Sequence, residues 1–364
     1  MKVADASAPP RWVGVSLGDL ADLQNGGLGE FCLQVGTRLA AAAAALANGR
    51  CRLAFHVHRR LVGCFGDHVL YLPVTRLHRL VHRSEQRFDL WHSLHQLNKN
   101  LPPSATGVRI VTVHDLNYQY SGKPFSIWRH QRRTLALMRR TDSLVASSHH
   151  TAADVRKHLS WTGEISVIHL GARSFVSAPL EPLPGWQPED TRPFLFHLSR
   201  MSASKNPQAI IDMARLWPDM TFVLCGPPSD DAKRLRATVH LPNLQFHLGI
   251  SDAQKAWAYA HCSGFLFPSL TEGFGLPPIE AMHFGKPVFL APRTSLPEIG
   301  GEAADYFNDF APEAMKQVVQ LGLQRNTLPG RAAAIRLHAA QFDWDRTAAA
   351  YMALYRRLLK LPAA

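Results

Sequence analysis

The sequence predicts an α/β protein made of two doubly wound parallel-sheet domains. Three observations carry this. Short apolar runs alternate with stretches of helical period along most of the 364 residues. A proline-rich stretch divides the alternation into two series. Glycine-rich turns fall where a run ends and a helical stretch begins, as strand-to-helix connections require.

In the first series the apolar runs predict strands at 13–17, 53–57, 69–72, 90–92, 108–114, 143–146 and 165–169. Helical spacing fills 28–47, 126–140 and 151–159, and the alanine-rich first helix ends at the cap signal Asn48-Gly49. The segment 176–193 is rich in proline, has few residues able to build a core and reads as a linker. The second series predicts strands at 194–198, 221–225, 244–248, 264–268 and 288–290, with helices at 207–217, 252–261 and 277–284. The tail 313–361 reads as entirely helical, with Tyr351, Leu354, Tyr355 and Leu358 on one face. The resulting domains are 1–180, a linker 181–193, a second domain 194–343, and a final helix 344–364. In open sheets of this kind ligands gather beyond the carboxyl ends of the strands.

The formal charge of +12 asks for an anionic partner. Arg76, Arg79, Arg83 and Arg87 form one basic group. Arg129, Arg132, Arg133, Arg139 and Arg140 form another, interleaved with Ile127, Trp128, Leu135, Leu137 and Met138, which suits either a solvated helix face or a helix lying on an anionic membrane. No apolar stretch approaches the ~20 residues needed to cross a bilayer. The N-terminus shows no apolar signal core. The five cysteines (Cys32, Cys51, Cys64, Cys225, Cys262) are scattered and odd in number, which argues against a disulfide framework and for a reduced, cytoplasmic setting.

The most informative ten residues are Thr271-Glu-Gly-Phe-Gly-Leu-Pro-Pro-Ile-Glu280. They follow the buried run Gly264-Phe-Leu-Phe-Pro-Ser269 and open a helix with Pro277 in its first turn. Gly273 and Gly275 permit close backbone approach, and the helix start offers amides to an anion. Glu272 and Glu280, with seven residues between them, supply acceptors for hydroxyl groups. Phosphate and hydroxyl recognition together fit a nucleotide sugar. The longer run from Phe267 to Val288 resembles the Glu-x7-Glu signature of retaining glycosyltransferases of family 4, which have the GT-B fold of two Rossmann-like domains facing a central cleft.

Other motifs are consistent with this reading. His197-Leu-Ser-Arg200 closes the first strand of the second series, and Lys205 follows. A guanidinium and an ammonium at one strand end suit a diphosphate. The family usually carries Gly-Arg and Lys-Gly here, so both cations match and both glycines are replaced, by Ser199 and Asn206. Asn25-Gly26-Gly27-Leu28-Gly29 opens the first long helix, with a spacing unlike a dinucleotide fingerprint; the resemblance places Gly26, Gly27 and Gly29 beside the donor phosphates and the acceptor. His114-Asp115 ends a strand, and the residues alone allow a base with its orienting carboxylate or a capped loop. The resemblance puts His114 near the donor's anomeric carbon, binding and orienting. It likewise assigns Arg200, Lys205, Glu272, Gly273, Phe274, Gly275, Leu276 and Glu280 to the donor, with Glu272 on sugar hydroxyls and Glu280 on the ribose. Thr294-Ser-Leu-Pro-Glu298 fits either a donor contact or a helix start. Asp343-Trp-Asp345 imitates a metal motif but lies between tail helices, where a cap is expected. His56, His58, His92, His95, His149 and His150 include close pairs but none with the helical spacing of a metal site beside a carboxylate, and no metal and no cofactor are expected.

The expected reaction is retaining, metal-independent transfer of a hexose, with mannose from GDP-mannose the narrow choice. The acceptor is a hydroxyl of a lipid-linked saccharide or oligosaccharide in surface polysaccharide synthesis, at the inner face of the cytoplasmic membrane. A nucleotide-sugar epimerase or a phosphorylase of GT-B-like fold are the alternatives. A basic nucleic-acid-binding protein is a further one, although no helix-turn-helix, zinc spacing or aromatic-basic strand motif is present, and no nucleic-acid partner is expected.

Overall fold

The computed structural model describes residues 10–23, 26–43, 51–121, 124–186 and 192–361. Gln24, Asn25, the expected end of the first helix at 44–49 and linker residues 187–191 lie outside the described residues. In chain order the strands are β1 (Arg11–Ser16), β2 (Cys51–Val57), β3 (Leu70–Pro73), β4 (Phe88–Ser93), β5 (Thr106–Val113), β6 (Ser143–Ala146), β7 (Ile165–Val167), β8 (Phe194–Leu198), β9 (Thr221–Gly226), β10 (Leu244–Leu248), β11 (Gly264–Phe267), β12 (Val288–Leu290) and β13 (Asp305–Tyr306). The helices are α1 (Gly26–Ala42), α2 (Tyr118–Ser121), α3 (Pro124–Met138), α4 (His149–Leu159), α5 (Pro207–Leu216), α6 (Asp230–Thr238), α7 (Asp252–His261), α8 (Leu276–His283), α9 (Leu296–Gly300), α10 (Pro312–Asn326), α11 (Arg331–Ala339) and α12 (Trp344–Leu358).

The chain divides into two compact units, Met1–Gly171 with Trp344–Ala364, and Ala172–Asp343. Each holds one sheet whose paired strands run parallel. The first has the order β3-β2-β1-β4-β5-β6-β7, the second β10-β9-β8-β11-β12-β13. In both, the order reverses beside the first strand of the unit, the doubly wound arrangement in which β1 meets β4 and β8 meets β11. Strands β9, β11 and β12 are buried at every position, which explains why they read as continuous apolar runs rather than alternating ones.

The core of the second unit joins Leu195, Phe222, Leu224, Leu266 and Phe289 of the sheet to Ile210, Ile211 and Met213 of α5 and to Met315 and Val319 of α10. In the first unit Val111, Val113 and Leu144 pack on Met138 and Val155. The last helix belongs to this first unit, where its buried face is polar as well as apolar. Tyr351 Oη lies 3.0 Å from Thr112 Oγ1, Tyr355 Oη lies 2.6 Å from His92 Nδ1, and Thr347 Oγ1 donates to His169 O at 2.9 Å. Arg38 of α1 pairs with Asp345.

Some expectations needed correction. The tail is not entirely helical: its three helices are separated at 327–330 and at 340–343, the second break falling at the expected cap Asp343. The two-residue β13 is too short for any period to show. Helix α6 buries only Ala232 among Asp230, Asp231, Lys233, Arg234 and Arg236, so no apolar stripe announces it. In the proline-rich stretch Leu183 is buried, and Trp186 packs at 4.9 Å from Phe194 and 5.2 Å from Trp257.

Candidate functional site

The second sheet changes direction between β8 and β11, which pair through Gly264↔Leu195 and Phe265↔Phe196. Two loops leave the carboxyl ends of these strands, and they are stapled together. Ser204 O accepts from Leu270 N at 2.8 Å and from Ser269 Oγ at 3.2 Å. Lys205 Nζ stands 2.7 Å from Glu272 Oε1, with side chains 19% and 12% exposed, and also reaches Thr271 O at 3.4 Å. A cation and a carboxylate from separate loops thus meet at the crevice-forming edge of the sheet.

The loop after β8 is held in a demanding conformation without glycine. Met201 and Asn206 have φ of 56° and 51°. Asparagine tolerates this left-handed region better than most residues, which is how Lys205-Asn206 can stand where the family pattern has Lys-Gly. Ser199 replaces the other glycine and adds bonds: its Oγ lies 2.7 Å from His197 Nε2 and accepts from Met201 N at 2.9 Å. His197 Nδ1 donates to Leu266 O at 2.8 Å, so Nε2 is the acceptor and the serine hydroxyl points to it. Burial, with a contribution from nearby Lys205, lowers the His197 pKa to about 4, keeping the ring neutral. Arg200 is exposed, and its carbonyl accepts from Ser229 Oγ, the cap of α6, at 2.8 Å.

The loop after β11 is clamped from β12. Thr294, itself left-handed at φ 54°, accepts from Glu272 N through Oγ1 at 3.0 Å. Ser295 Oγ donates to Glu272 O at 3.3 Å and Phe274 O at 2.7 Å. The Thr294-Ser295 segment therefore positions the Glu272 loop as well as opening α9. Phe274 is buried with its ring against Phe342, centroids 5.8 Å apart, so its side chain serves packing. Gly275 caps α8 at φ 120°, a conformation that side chains resist.

The helix start is a weaker amide source than the sequence suggested. Helix α8 begins at Leu276, and its second and third residues, Pro277 and Pro278, carry no N–H. The amides that remain at this end are those of Gly273 to Leu276. Glu280, one turn further, accepts from Tyr259 Oη of α7 at 2.8 Å. Tyr259 is fully buried, and burial followed by the Glu280 charge raises its pKa well above the usual value.

His114 and the three glycines belong to the first unit. His114 directly follows β5; its Nε2 donates to Leu94 O at 2.9 Å, its N donates to Gln96 Oε1 at 3.1 Å, and its ring meets Phe31 of α1 edge-on at 4.4 Å. The lone pair therefore sits on Nδ1. Burial lowers its pKa to about 4, so the ring is a neutral polar group rather than a cation at neutral pH. Asp115 does not orient this nitrogen; it caps the turn by accepting from Asn117 N at 3.0 Å. Gly26 opens α1 at φ 79°, Gly27 is exposed, and Gly29 is buried where a Cβ would lie 2.7 Å from Leu23 O. Gly29 is thus required by the approach of α1 to its own preceding loop.

Sequence reasoning missed several positions. Gly226 ends β9, and a Cβ there would stand 1.9 Å from Ser199 O, so the Arg200 loop can pass only over glycine. Tyr259 lies within the helix expected at 252–261, where nothing in the local pattern marked it. The roles of Ser199 and His197 depend on contacts between strand ends that no local pattern reveals.

Residues 184–320 match the family described as Glycosyl transferases group 1. Over 179 residues the chain is 30% identical to the serotype-specific mannosyltransferase WbdA of Escherichia coli, covering 46% of this chain and 22% of that protein. Over 110 residues it is 34% identical to the O-antigen chain mannosyltransferase B of Escherichia coli, covering 30% of this chain and 29% of that protein. The match therefore spans less than a third of either relative's length. Among solved structures, sucrose-phosphate synthase from Thermosynechococcus elongatus superimposes with a TM-score of 0.72 at 18% identity, covering 97% of this chain and all of that one. The switch-point crevice and the matched stretch coincide: residues 184–320 of this chain are similar to the Glycosyl transferases group 1 family, within a GT-B fold of two Rossmann-like units.

Proposed function

We propose that the protein transfers a hexose, mannose as first choice, from a nucleotide diphosphate sugar to a hydroxyl of a lipid-linked saccharide in surface polysaccharide synthesis, with retention of anomeric configuration. The carrying observation is the Lys205–Glu272 pair at the switch point of the second unit, inside the matched stretch. The difficulty of the reaction is charge: the diphosphate gains negative charge as it leaves, while the sugar becomes oxocarbenium-like. Arg200, Lys205 and the amides of Gly273 to Leu276 supply the opposing charge without a divalent cation. Phosphate oxygens compete with Glu272 for Lys205, which releases the Glu272 carboxylate to accept from sugar hydroxyls. Glu280, held by Tyr259, takes the ribose hydroxyls. Mannose is favoured because two curated relatives at 30% and 34% identity are named mannosyltransferases.

A peripheral membrane contact fits the same reading, since lipid-linked acceptors sit at a bilayer surface. On α3, Phe125 and Trp128 are 69% and 51% exposed and stack at 5.7 Å, while the Arg132 guanidinium lies 4.9 Å from the Trp128 ring. Arg129 and Arg133 are exposed on the same helix, and Arg139 and Arg140 are exposed just beyond its end. Exposed aromatic rings on an arginine-rich helix suit an anionic lipid surface.

The test is turnover against a panel of GDP-, UDP- and dTDP-sugars with a lipid-linked saccharide acceptor, with no divalent cation added. Product linkage then reports the stereochemistry. Transfer from a GDP-sugar with retained configuration supports the proposal. Conversion of donor without acceptor points to an epimerase, and a strict Mg2+ or Mn2+ requirement contradicts the charge assignment.

A further inference from the structure

The first unit contains a cluster of three imidazoles that the transfer chemistry does not use. His56 lies on β2, opposite Ser16 in the β1–β2 register. His78 sits on a short 3-10 helix, Arg76–Arg79, and His82 follows four residues later in the connection from β3 to β4. His56 and His82 are buried and His78 is partly exposed. One ring nitrogen from each lies within 4.8 Å of the others. The His78 and His82 rings stack at 3.9 Å, and both lie about a ring's width from His56, at 5.1 and 4.9 Å between centroids.

The geometry points to a three-histidine site for a transition-metal dication, Zn2+ as the ion it fits best. The donor set is nitrogen only, which suits Zn2+, Cu2+ or Ni2+ rather than Mg2+ or Ca2+. Two of the ligands are already oriented by outer contacts, as metal-binding histidines usually are. His82 Nδ1 donates to Leu101 O at 2.9 Å, which leaves Nε2 with its lone pair. His56 Nδ1 lies 2.8 Å from Ser16 Oγ, itself fixed by Asn98 Nδ2 at 2.8 Å. His56 Nε2 and His78 Nδ1 are 2.9 Å apart and share one proton. Two nitrogens bound to one tetrahedral zinc stand about 3.3 Å apart, given Zn–N bonds of about 2.0–2.1 Å. Binding therefore parts His56 Nε2 from His78 Nδ1 slightly and turns the His78 ring out of its stack on His82, so that the three lone pairs converge on the ion. The shared proton passes to His56 Nδ1, where Ser16 Oγ accepts it, so binding needs a tautomer change and no net proton loss.

Such an ion ties the connection 75–82 to the carboxyl end of β2. That connection bears Leu77, Leu80 and Val81, all exposed, together with Arg76 and Arg79. The ion's effect is on the placement of this segment, independent of the donor reading for the second unit.

The experiment uses the full chain, stripped of metal by chelator and dialysed, then titrated with ZnCl2 by calorimetry and with CoCl2 by absorption. The account expects one tight equivalent of zinc, a melting temperature raised by several degrees, and the intense visible band of four-coordinate cobalt. His78→Ala and His82→Gln each weaken binding about 100-fold or more and abolish the band, while His240→Ala, at an exposed site, leaves both unchanged. Should His82→Gln fail to fold, His78→Ala decides, because that ring is partly exposed. Absence of stoichiometric binding in the wild-type chain, or binding that survives His78→Ala, overturns the proposal.

Discussion

Lys205 Nζ and Glu272 Oε1 stand 2.7 Å apart, joining the loop after β8 to the loop after β11 at the point where the second sheet reverses direction. The pair is largely removed from solvent, so each charge depends on the other. Losing one partner leaves an uncompensated charge, whereas losing both leaves a neutral site. Lys205→Met and Glu272→Gln should each destabilise the second unit by more than the double variant requires, with a coupling energy of about 1–2 kcal/mol. Denaturant unfolding of the four species measures it; additive effects would show that the loops are held by Ser204 alone.

Gly226 has a purely steric task. Because a Cβ would stand 1.9 Å from Ser199 O, Gly226→Ala must displace the backbone that carries Arg200. We expect a loss of about 1–3 kcal/mol in stability and a fall in turnover larger than the stability loss explains. An unchanged unfolding midpoint with normal turnover would contradict the close approach.

Tyr259 holds Glu280 at 2.8 Å from a buried position. Tyr259→Phe removes one hydrogen bond to a charged group, worth about 1.5–3 kcal/mol. The expected kinetic signature is a raised donor KM with a smaller change in kcat, since the ribose takes no part in bond breaking. A kcat effect without a KM effect would move Glu280 out of the ribose role.

Acid should destabilise both units through histidines buried neutral. Burial lowers His92 to about 3 and His197 to about 4, against an ordinary value of 6.5. The unfolded chain then binds protons that the folded chain does not. The stabilisation is fully present above pH 6.5 and is lost as pH falls toward the folded values. At pH 5.5 each fully buried ring accounts for about 1.4 kcal/mol. Melting temperature followed from pH 7.5 to 5 should fall steadily, and His92→Gln should flatten the profile relative to its own value at pH 7.5. A flat wild-type profile would refute the assignment.

Much of this fold was legible because buried parallel strands are short apolar runs. Phe194–Leu198, Leu244–Leu248 and Ser143–Ala146, with the capped helix Asp252–His261, fall where local pattern alone put them. What pattern could not supply was contact between distant ends. The Ser204 staple, the Thr294 clamp and the Gly226 crossing all join loops from different strands, and no spacing encodes them. The weakened helix start at α8 was readable, since Pro277 and Pro278 are visible in the sequence and neither has an N–H to give. The His78-x3-His82 spacing was also present, but its third member, His56, arrives from β2 and joins only on folding.

The most direct test of the donor assignment is a calorimetric titration of GDP-mannose into the wild-type chain and into an Arg200→Ala, Lys205→Ala double variant. The account predicts saturable binding to the wild type and an affinity at least about 100-fold weaker in the folded double variant, the loss of two charge-assisted contacts to the diphosphate. Equal affinity in the two proteins would contradict it.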